Sequence, residues 1–371
     1  MKTKQFVQIT AIALLSTINH QLSTCFAQGS LTPPGAPAPT MKTLDQVEAR
    51  TPITNTASLA TISEPGSYYL THNLTVSTGD GIDINTNDVT LDLNGFTIRS
   101  TSASASGTGI LLNNGWSDIT IGNGHIRGVG TNNSSGVFSG GGFTYGIKTY
   151  SAVPENVMVS RISVSGCRFD GISLSGQNST EVEACTVRTV GGYGIIASTV
   201  KSSSALDCGN TAIQGDQVSD CHGQSDGGGV GVDGASVVQN CWGTSTSNPG
   251  VEGYIVQNCY GTSTSAPGVE ATIMLNCYGQ SSSGWGLHAS TAQNCYGLST
   301  SSDGIISSTA QNCYGVSQGS GDGLYADYTA SGCYGRSDSG IGLHALIIAN
   351  VCHGETFSGT ALSTTHNVNS Y

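Results

Sequence analysis

Residues 258–315 read NCYGTSTSAPGVEATIML, NCYGQSSSGWGLHASTAQ, NCYGLSTSSDGIISSTAQ and NCYG, so one Asn-Cys-Tyr-Gly group returns every 18 residues. The same interval separates the cysteines from Cys241 to Cys313, and Cys221, Cys333 and Cys352 extend the series at intervals of 19 or 20. Upstream, units that open with Gly and an aliphatic residue recur less regularly from Gly81 onward, about a dozen units in all. A period this short predicts a solenoid, because one unit alone cannot bury its apolar face.

The type of solenoid follows from the residues inside each unit. Gly, Ser, Thr, Val and Asn are weak helix formers. Apolar residues alternate in VTLDLNG (Val89–Gly95) and RISVSG (Arg161–Gly166), which is the period of a β-strand. A left-handed β-helix needs an aliphatic residue every six positions, but steps of six from Val238 meet Thr244 and Gly250. We therefore predict an all-β fold, a right-handed parallel β-helix of about a dozen coils.

The first 50 residues predict export followed by a spacer. Residues 1–27 have a basic start and an apolar stretch too short to span a bilayer, which predicts a signal peptide cut near Gln28. Lipoprotein anchoring at Cys25 is an alternative. Residues 28–50 predict a Pro-rich leader and, at Thr40–Arg50, a short helix that caps the first coil. The β-helix is predicted over 51–371, irregular to about residue 220 and regular after it.

Charge and hydropathy limit the partners and the location. The formal net charge of −12 argues against nucleic acid as a partner. No segment of the mature chain is predicted to cross a membrane. The predicted location is secreted, periplasmic or on the cell surface, where a polysaccharide or another cell-surface component could be the partner.

The repeated Cys and the aromatic residue after it are predicted to face opposite ways. An apolar residue lies three positions before each Cys, so the Cys is expected to point inward at a bend, in a buried ladder of mostly reduced thiols. No Cys-x-x-Cys pair exists to suggest zinc. The aromatic column would then face outward, either as a ligand-binding platform that stacks on sugars or as a stabilising ladder of cross-strand pairs. Its predicted members are Trp242, Tyr260, Tyr278, Tyr296, Tyr314 and Tyr334.

Three segments together resemble a known family. DVTLDLNGFTIRS (Asp88–Ser100), ITIGNGHIRGVG (Ile119–Gly130), SEPGSYYLTHNLTV (Ser63–Val76) and the Gly-aliphatic units are similar to secreted right-handed β-helix repeat proteins of the pectate-lyase-like superfamily. The resemblance covers Thr40 to the C-terminus and implies the fold. It implies no single activity, because the superfamily includes lyases, hydrolases, epimerases, phage tailspikes and members without known chemistry.

Catalysis, if present, is expected in the irregular N-terminal coils. Lyases similar to this family need an Arg or Lys base and often Ca²⁺, and hydrolases need paired carboxylates. Only Arg336 remains as a cation after Lys201. The catalytic candidates are Asp92, His125, Arg127, Lys148 and Arg161. Each also has a simpler interpretation as a solvated strand or turn residue.

Asp83, Asp88 and Asp92 could bind Ca²⁺. No other metal or cofactor is predicted.

Three functions remain open at this point. The favoured hypothesis is an exported, non-catalytic rod that binds glycan or another surface partner. The alternatives are a polysaccharide lyase or glycoside hydrolase with a divergent site, and a purely structural or adhesive surface protein. The loop between Gly130 and Gly146 is predicted to form a cleft wall over the first coils.

Overall fold

The computed structural model describes residues 48–133, 136–150, 154–175 and 179–371. Residues 50–371 form one compact unit. Each inner strand of its main sheet pairs in parallel with the equivalent strands of the coils before and after it, and the strands of the end coils pair on one side. The right-handed parallel β-helix predicted from the sequence is confirmed.

The irregular coils contain β1 (Thr51–Ile53), β2 (Ala60–Ile62), β3 (Gly66–Leu70), β4 (Leu74–Val76), β5 (Ile82–Ile84), β6 (Val89–Asp92), β7 (Thr97–Ser100), β8 (Thr108–Asn113), β9 (Ile119–Arg127), β10 (Thr131–Asn132), β11 (Phe138–Ser139), β12 (Tyr145–Tyr150), β13 (Val157–Ser165), β14 (Ile172–Ser173), β15 (Thr180–Glu183), β16 (Thr186–Val190), β17 (Ile195–Ile196), β18 (Thr199–Lys201) and β19 (Ser204–Cys208). The later coils contain β20 (Ile213–Ser219), β21 (His222–Ser225), β22 (Val232–Gln239), β23 (Trp242–Ser245), β24 (Val251–Gln257), β25 (Tyr260–Ser263), β26 (Val269–Leu275), β27 (Tyr278–Ser281), β28 (Leu287–Gln293), β29 (Tyr296–Ser299), β30 (Ile305–Gln311), β31 (Tyr314–Ser317), β32 (Leu324–Ser331), β33 (Tyr334–Ser337), β34 (Leu343–Asn350), β35 (His353–Thr356) and β36 (Leu362–Val368).

Three faces, named A, B and C in chain order, make up each coil. Face A starts with β2, β5 and β8, face B with β1, β3 and β6, and face C with β4 and β7. From β20 onward one long strand crosses faces A and B, and a four-residue strand forms face C. The short antiparallel pair β10–β11 lies outside the main sheet.

The solenoid has about sixteen turns instead of the predicted dozen. Two coils, β1–β4, precede the first Gly-aliphatic unit, and two later coils open with Ala212 and Ala361 in place of Gly. A count of Gly-aliphatic units therefore misses four coils. At a coil spacing of about 4.8 Å, the solenoid is roughly 70–75 Å long.

The core is a set of columns, each with one residue from every coil. In the repeated coils face A contributes aliphatic side chains such as Val269 and Leu287, face B contributes Met274 and Ala292, and the bend before face C contributes the cysteines. The eleven described cysteines are buried, free thiols. From β21 to β33 each face C strand ends in a buried Ser; Ser281 donates a hydrogen bond to the carbonyl of Ala266 and accepts one from the N–H of Gly284. These buried hydroxyls are therefore satisfied.

The turn between faces B and C, called the B–C turn, has one backbone conformation in the repeated coils. Asn240, Asn258, Asn276, Asn294 and Asn312 all lie there with φ of 51–54°. Asn tolerates this left-handed region better than most residues because its short polar side chain bonds locally. The next residue is the inward-facing Cys, so the Asn-Cys pair forms the bend.

The two ends of the solenoid differ in how much of them the structure describes. The helix predicted at Thr40–Arg50 lies outside the described residues except for residues 48–50, which are not helical, and the predicted signal peptide lies wholly outside them. At the C-terminal end, Leu362–Val368 form β36, which pairs in parallel with β34 and adds one more coil. Within the described ranges no helix is long and apolar enough to cross a membrane.

Candidate functional site

The aromatic residues that follow the cysteines form one continuous column on face C. Their strands are in register, so Tyr278 lies opposite Tyr260 and Tyr296 opposite Tyr278. From Tyr260 to Tyr334 neighbouring ring centroids are 4.6–5.0 Å apart and the ring planes are within 10° of parallel. All six predicted rings belong to this column, which His222 and His353 extend at either side.

The ring faces in the regular part of the column are covered by the neighbouring rings. Mainly ring edges and hydroxyl groups are therefore available to a ligand. Burial, followed by the charges of Tyr260 and Tyr296, raises the pKa of Tyr278 above its usual value of 10.0. The Tyr278 phenol stays neutral at physiological pH, as a hydrogen-bond donor and acceptor.

Trp242 is where the regular stack changes orientation. Its ring plane makes an angle of 83° with that of Tyr260, at a centroid distance of 5.7 Å. It is 50 % exposed, the most of the six predicted rings. Trp242 is therefore the ring of this column best placed to meet a ligand with its face.

A second column runs beside the rings and consists of the Asn side chains of the B–C turn. Asn258 donates to the Oδ1 of Asn240 at 3.2 Å, and Asn276 donates to the Oδ1 of Asn258 at 3.1 Å. The pattern continues to Asn312, and Asn240 donates to Asp220 at 3.0 Å. These asparagines are exposed, so the amide chain faces solvent along the rod.

The two columns form the walls of a groove, called the Asn–aromatic groove, with a volume of about 900 Å³. Its lining runs from Ser202 to Tyr296 and consists of amides, hydroxyls, ring edges and the backbone at the cysteines. Asp220 is its only carboxylate among the described residues, and it already accepts the bond from Asn240. The groove is therefore close to neutral and repetitive, with polar and apolar surface side by side.

The five predicted catalytic residues are not gathered in one site. Asp92 accepts hydrogen bonds from Arg50 at 3.0 Å, from the backbone N–H of Asn94 at 2.7 Å and from Asn123 at 3.1 Å. Its carboxylate thus has a structural task between the first coils.

Lys148 also has a structural explanation, and Arg161 lies apart from it. Lys148 pairs with Asp170 at 3.3 Å and lies 3.5 Å from the centre of the Tyr145 ring. Arg161 is exposed and occupies the B–C turn with φ of 52°.

His125 and Arg127 are brought together. Both are on the face C part of β9, and both line one pocket of about 270 Å³ with Thr97, Ile126, Ser163 and Ser165.

The three aspartates considered for Ca²⁺ lie in different places. Asp83 is on face A, Asp88 is in the turn before β6, and Asp92 is on face B. Asp83 accepts hydrogen bonds from Asn85 at 3.0 Å and from Asn113 at 2.5 Å, and burial raises its pKa. In the part of the chain that is described, no three His, Cys, Asp or Glu side chains are grouped to hold a metal ion.

An acidic column on face A was not singled out from the sequence. Asp233, Glu252, Glu270 and His288 lie opposite one another in successive coils and line a groove of about 440 Å³. Burial, then the charges of Asp233 and Glu270, raises the pKa of Glu252. The His288 Nδ1 lies 3.1 Å from a Glu270 oxygen. Glu252, Glu270 and His288 are 18 residues apart, so the repeat itself contained the signal.

The loop between Gly130 and Gly146 contacts the first coils, as predicted, through a backbone hydrogen bond from the N–H of Gly142 to the carbonyl of Ser102. It also reaches later coils. Asn132 donates to Asp207, and the backbone of Gly136 lies against that of Asp226 and Gly227. Burial raises the pKa of Asp226, and interaction with Asp207 adds to the effect. The loop therefore lies beside face C and bonds one of two interacting carboxyl groups, that of Asp207.

Fold and groove together define a parallel β-helix repeat protein with a long surface groove lined by amides and aromatic rings. Among solved structures, the A-module of the Azotobacter vinelandii mannuronan C-5 epimerase AlgE6 is similar, with a TM-score of 0.42 and 12 % sequence identity over 82 % of this chain and 90 % of that chain. This likeness is too slight to carry an activity over. No protein-family model matches the chain, and no curated protein matches it.

Proposed function

We propose that this protein is an exported, non-catalytic β-helix module that binds an extended, neutral glycan in the Asn–aromatic groove. The observation that supports this most is the pairing of an exposed column of amides with a partly exposed column of rings over at least four successive coils. A polymer with a short repeat can meet the same groups again at each coil, about 4.8 Å further along.

The Asn column retains hydrogen-bonding capacity for such a ligand. An Asn amide has two N–H donors and an oxygen with two lone pairs. Within the column Asn276 uses one N–H towards Asn258 and one lone pair towards Asn294. One donor and one acceptor per coil are thus left for hydroxyl groups, which both donate and accept.

The ring column contributes contact area and a pattern of hydroxyls. The phenol oxygens of Tyr260, Tyr278 and Tyr296 recur at the coil spacing, and Trp242 offers an accessible ring at one side. Apart from His222, the described lining of the groove contains no side chain that could carry a positive charge. A neutral sugar chain therefore suits the groove better than a uronate chain.

The proposal is tested with a panel of neutral and acidic polysaccharides in affinity electrophoresis, with Kd measured by calorimetry on matched oligosaccharides. Trp242→Ala is expected to weaken binding about tenfold, as expected for loss of one aromatic contact. Tyr328→Ala is the control, because Tyr328 is 57 % exposed but does not line the groove. Equal affinity of both variants, or no binding to any neutral glycan, contradicts the proposal.

The same panel distinguishes the two alternatives. Release of reducing ends or of an unsaturated uronide would support a hydrolase or lyase, whereas failure to bind and to turn over any glycan would favour a structural role. Export is tested separately by expressing the full chain in a secretion-competent host. A mature N-terminus near Gln28, determined by mass spectrometry, is expected; a lipid-modified Cys25 would replace secretion by anchoring.

A further inference from the structure

Two arginines on face C lie directly opposite each other in neighbouring coils. The register pairs Arg99 of β7 with Arg127 of β9, and both side chains are exposed. Arg127 is in turn opposite Ser165, which is opposite Arg188. Among the described residues none of these three guanidinium groups has a carboxylate within ion-pair distance. Like charges opposite each other on paired strands are destabilising, so this basic column lacks an internal explanation.

A small pocket lies at the middle of the column. Its volume is about 270 Å³, and its described lining contains donors from three successive coils and no carboxylate. Thr97 lies in the coil before, His125 and Arg127 in the same coil, and Ser163 and Ser165 in the coil after. The described hydrogen bonds engage none of these five side chains.

This set of donors fits one kind of ligand. A guanidinium group forms paired, charge-assisted hydrogen bonds with sulfate, phosphate or carboxylate. Hydroxyl groups on the coils before and after add donors from two further directions. A tetrahedral oxyanion has acceptor atoms in all of these directions, whereas a planar carboxylate is satisfied largely by the arginine alone.

We infer that this pocket, built from Thr97, His125, Arg127, Ser163 and Ser165, binds a tetrahedral oxyanion, either as free sulfate or phosphate or as a sulfate or phosphate ester. The site is separate from the Asn–aromatic groove. It lies on the same face, since the column of His125 and Ser163 continues through Thr186 and Ser204 to His222. An ester group on a longer molecule bound along face C would be within reach of it.

Calorimetric titration of the full chain at low ionic strength tests this inference. The ligands are sodium sulfate, sodium phosphate, a sulfated oligosaccharide and its desulfated counterpart, with sodium chloride as the ionic-strength control. The variants are Arg127→Gln and Arg99→Gln. Lys201→Gln is the matched control, because it removes one positive charge from a site on face B that pairs with Glu181. Circular dichroism establishes that each variant is folded.

Saturable binding of sulfate or phosphate is expected, with Kd raised about tenfold or more by Arg127→Gln and unchanged by Lys201→Gln. Tighter binding of the sulfated oligosaccharide than of free sulfate, with the same dependence on Arg127, identifies an ester as the ligand; equal binding identifies the free ion. Absence of sulfate and phosphate binding, or equal losses in Arg127→Gln and Lys201→Gln, overturns the inference. Trp242→Ala should leave oxyanion binding intact, so failure of the groove proposal is distinguishable from failure of this one.

Discussion

Replacing the glycine of the Asn-Cys-Tyr-Gly group by alanine, which adds one methyl group, should destabilise the folded protein. Gly297 follows Tyr296 in β29 and faces the core. A Cβ at Gly297 would lie 2.1 Å from the carbonyl oxygen of Gly304 and 2.5 Å from the Cγ1 of Ile305, whereas ordinary contacts are 3.4–4 Å. Gly304 has no room to move away, because its backbone is packed closely against that of Val316. A Cβ built on Gly304 would lie 2.2 Å from the Val316 backbone nitrogen. The clash is therefore with backbone held in the parallel ladder.

The expected penalty is large for so small a change. Overpacking a well-packed core costs typically 1–3 kcal/mol, and a contact more than 1 Å too short against fixed backbone belongs at the upper end. We expect Gly297→Ala to destabilise the protein by about 3 kcal/mol. The matched control is Gly228→Ala, since a Cβ at Gly228 meets no atom within 4 Å and its φ is not positive. That change should be neutral or stabilising by about 0.4–1 kcal/mol through the unfolded state.

Thermal unfolding followed by far-ultraviolet circular dichroism measures the difference. Gly297→Ala should melt several degrees below Gly228→Ala. Because long repeat arrays can depart from two-state unfolding, the midpoints of the two variants are compared under identical conditions. Coincident midpoints would refute the view that this glycine is required by the approach of neighbouring coils.

Three further predictions concern other columns. Asn276→Ala should be about 1 kcal/mol less stable than Asn276→Gly. The φ of 53° at this position is unfavourable for a residue that has a Cβ but no polar side chain to hydrogen-bond locally. Equal unfolding midpoints of the two variants would count against the argument. Glu252→Gln should raise the melting temperature at neutral pH, because the folded protein, in which the pKa of Glu252 is raised, holds that proton more tightly than the unfolded chain. Stability from this group is present below its unfolded pKa of 4.5 and is lost as pH rises through the folded value, so the gain should vanish in acid; a gain that persists there would contradict it. A thiol-specific reagent should fail to modify the native chain, since all eleven described cysteines are buried. Burial, followed by the charge of Asp170, also raises the pKa of Cys167 to about 12. Rapid labelling before unfolding would show that the thiol ladder is accessible.

The regular half of the fold was predictable because its period determines its register. Residues 18 apart must lie opposite each other when every coil has 18 residues, which places Cys277 under Cys295 and Tyr278 under Tyr296. The orientation of the rings was not predictable in the same way. Alternation shows that a ring points outward, but the rotamer decides whether its face meets solvent or the next ring, and here neighbouring Tyr rings cover each other.

Less of the irregular half could be predicted from the sequence, for a geometric reason. Thr97, His125 and Ser163 lie in one column although they are 28 and 38 residues apart. Unequal loops between strands remove the relation between sequence separation and register, so the gathering of donors around Arg127 cannot be read from spacing. The candidates Asp92 and Lys148 likewise have partners, Arg50 and Asp170, that no local pattern reveals.

Equal coil length makes the C-terminal half modular. Removing residues 277–294 would join Asn276 directly to Cys295 and restore the Asn-Cys-Tyr-Gly group at the junction. Thiol, amide and phenol columns would each lose one member and remain unbroken, because the coils before and after have the same register. Unequal recombination within such an array can therefore change the reach of the protein in steps of one unit, and evolution can adjust its dimensions without designing a new interface.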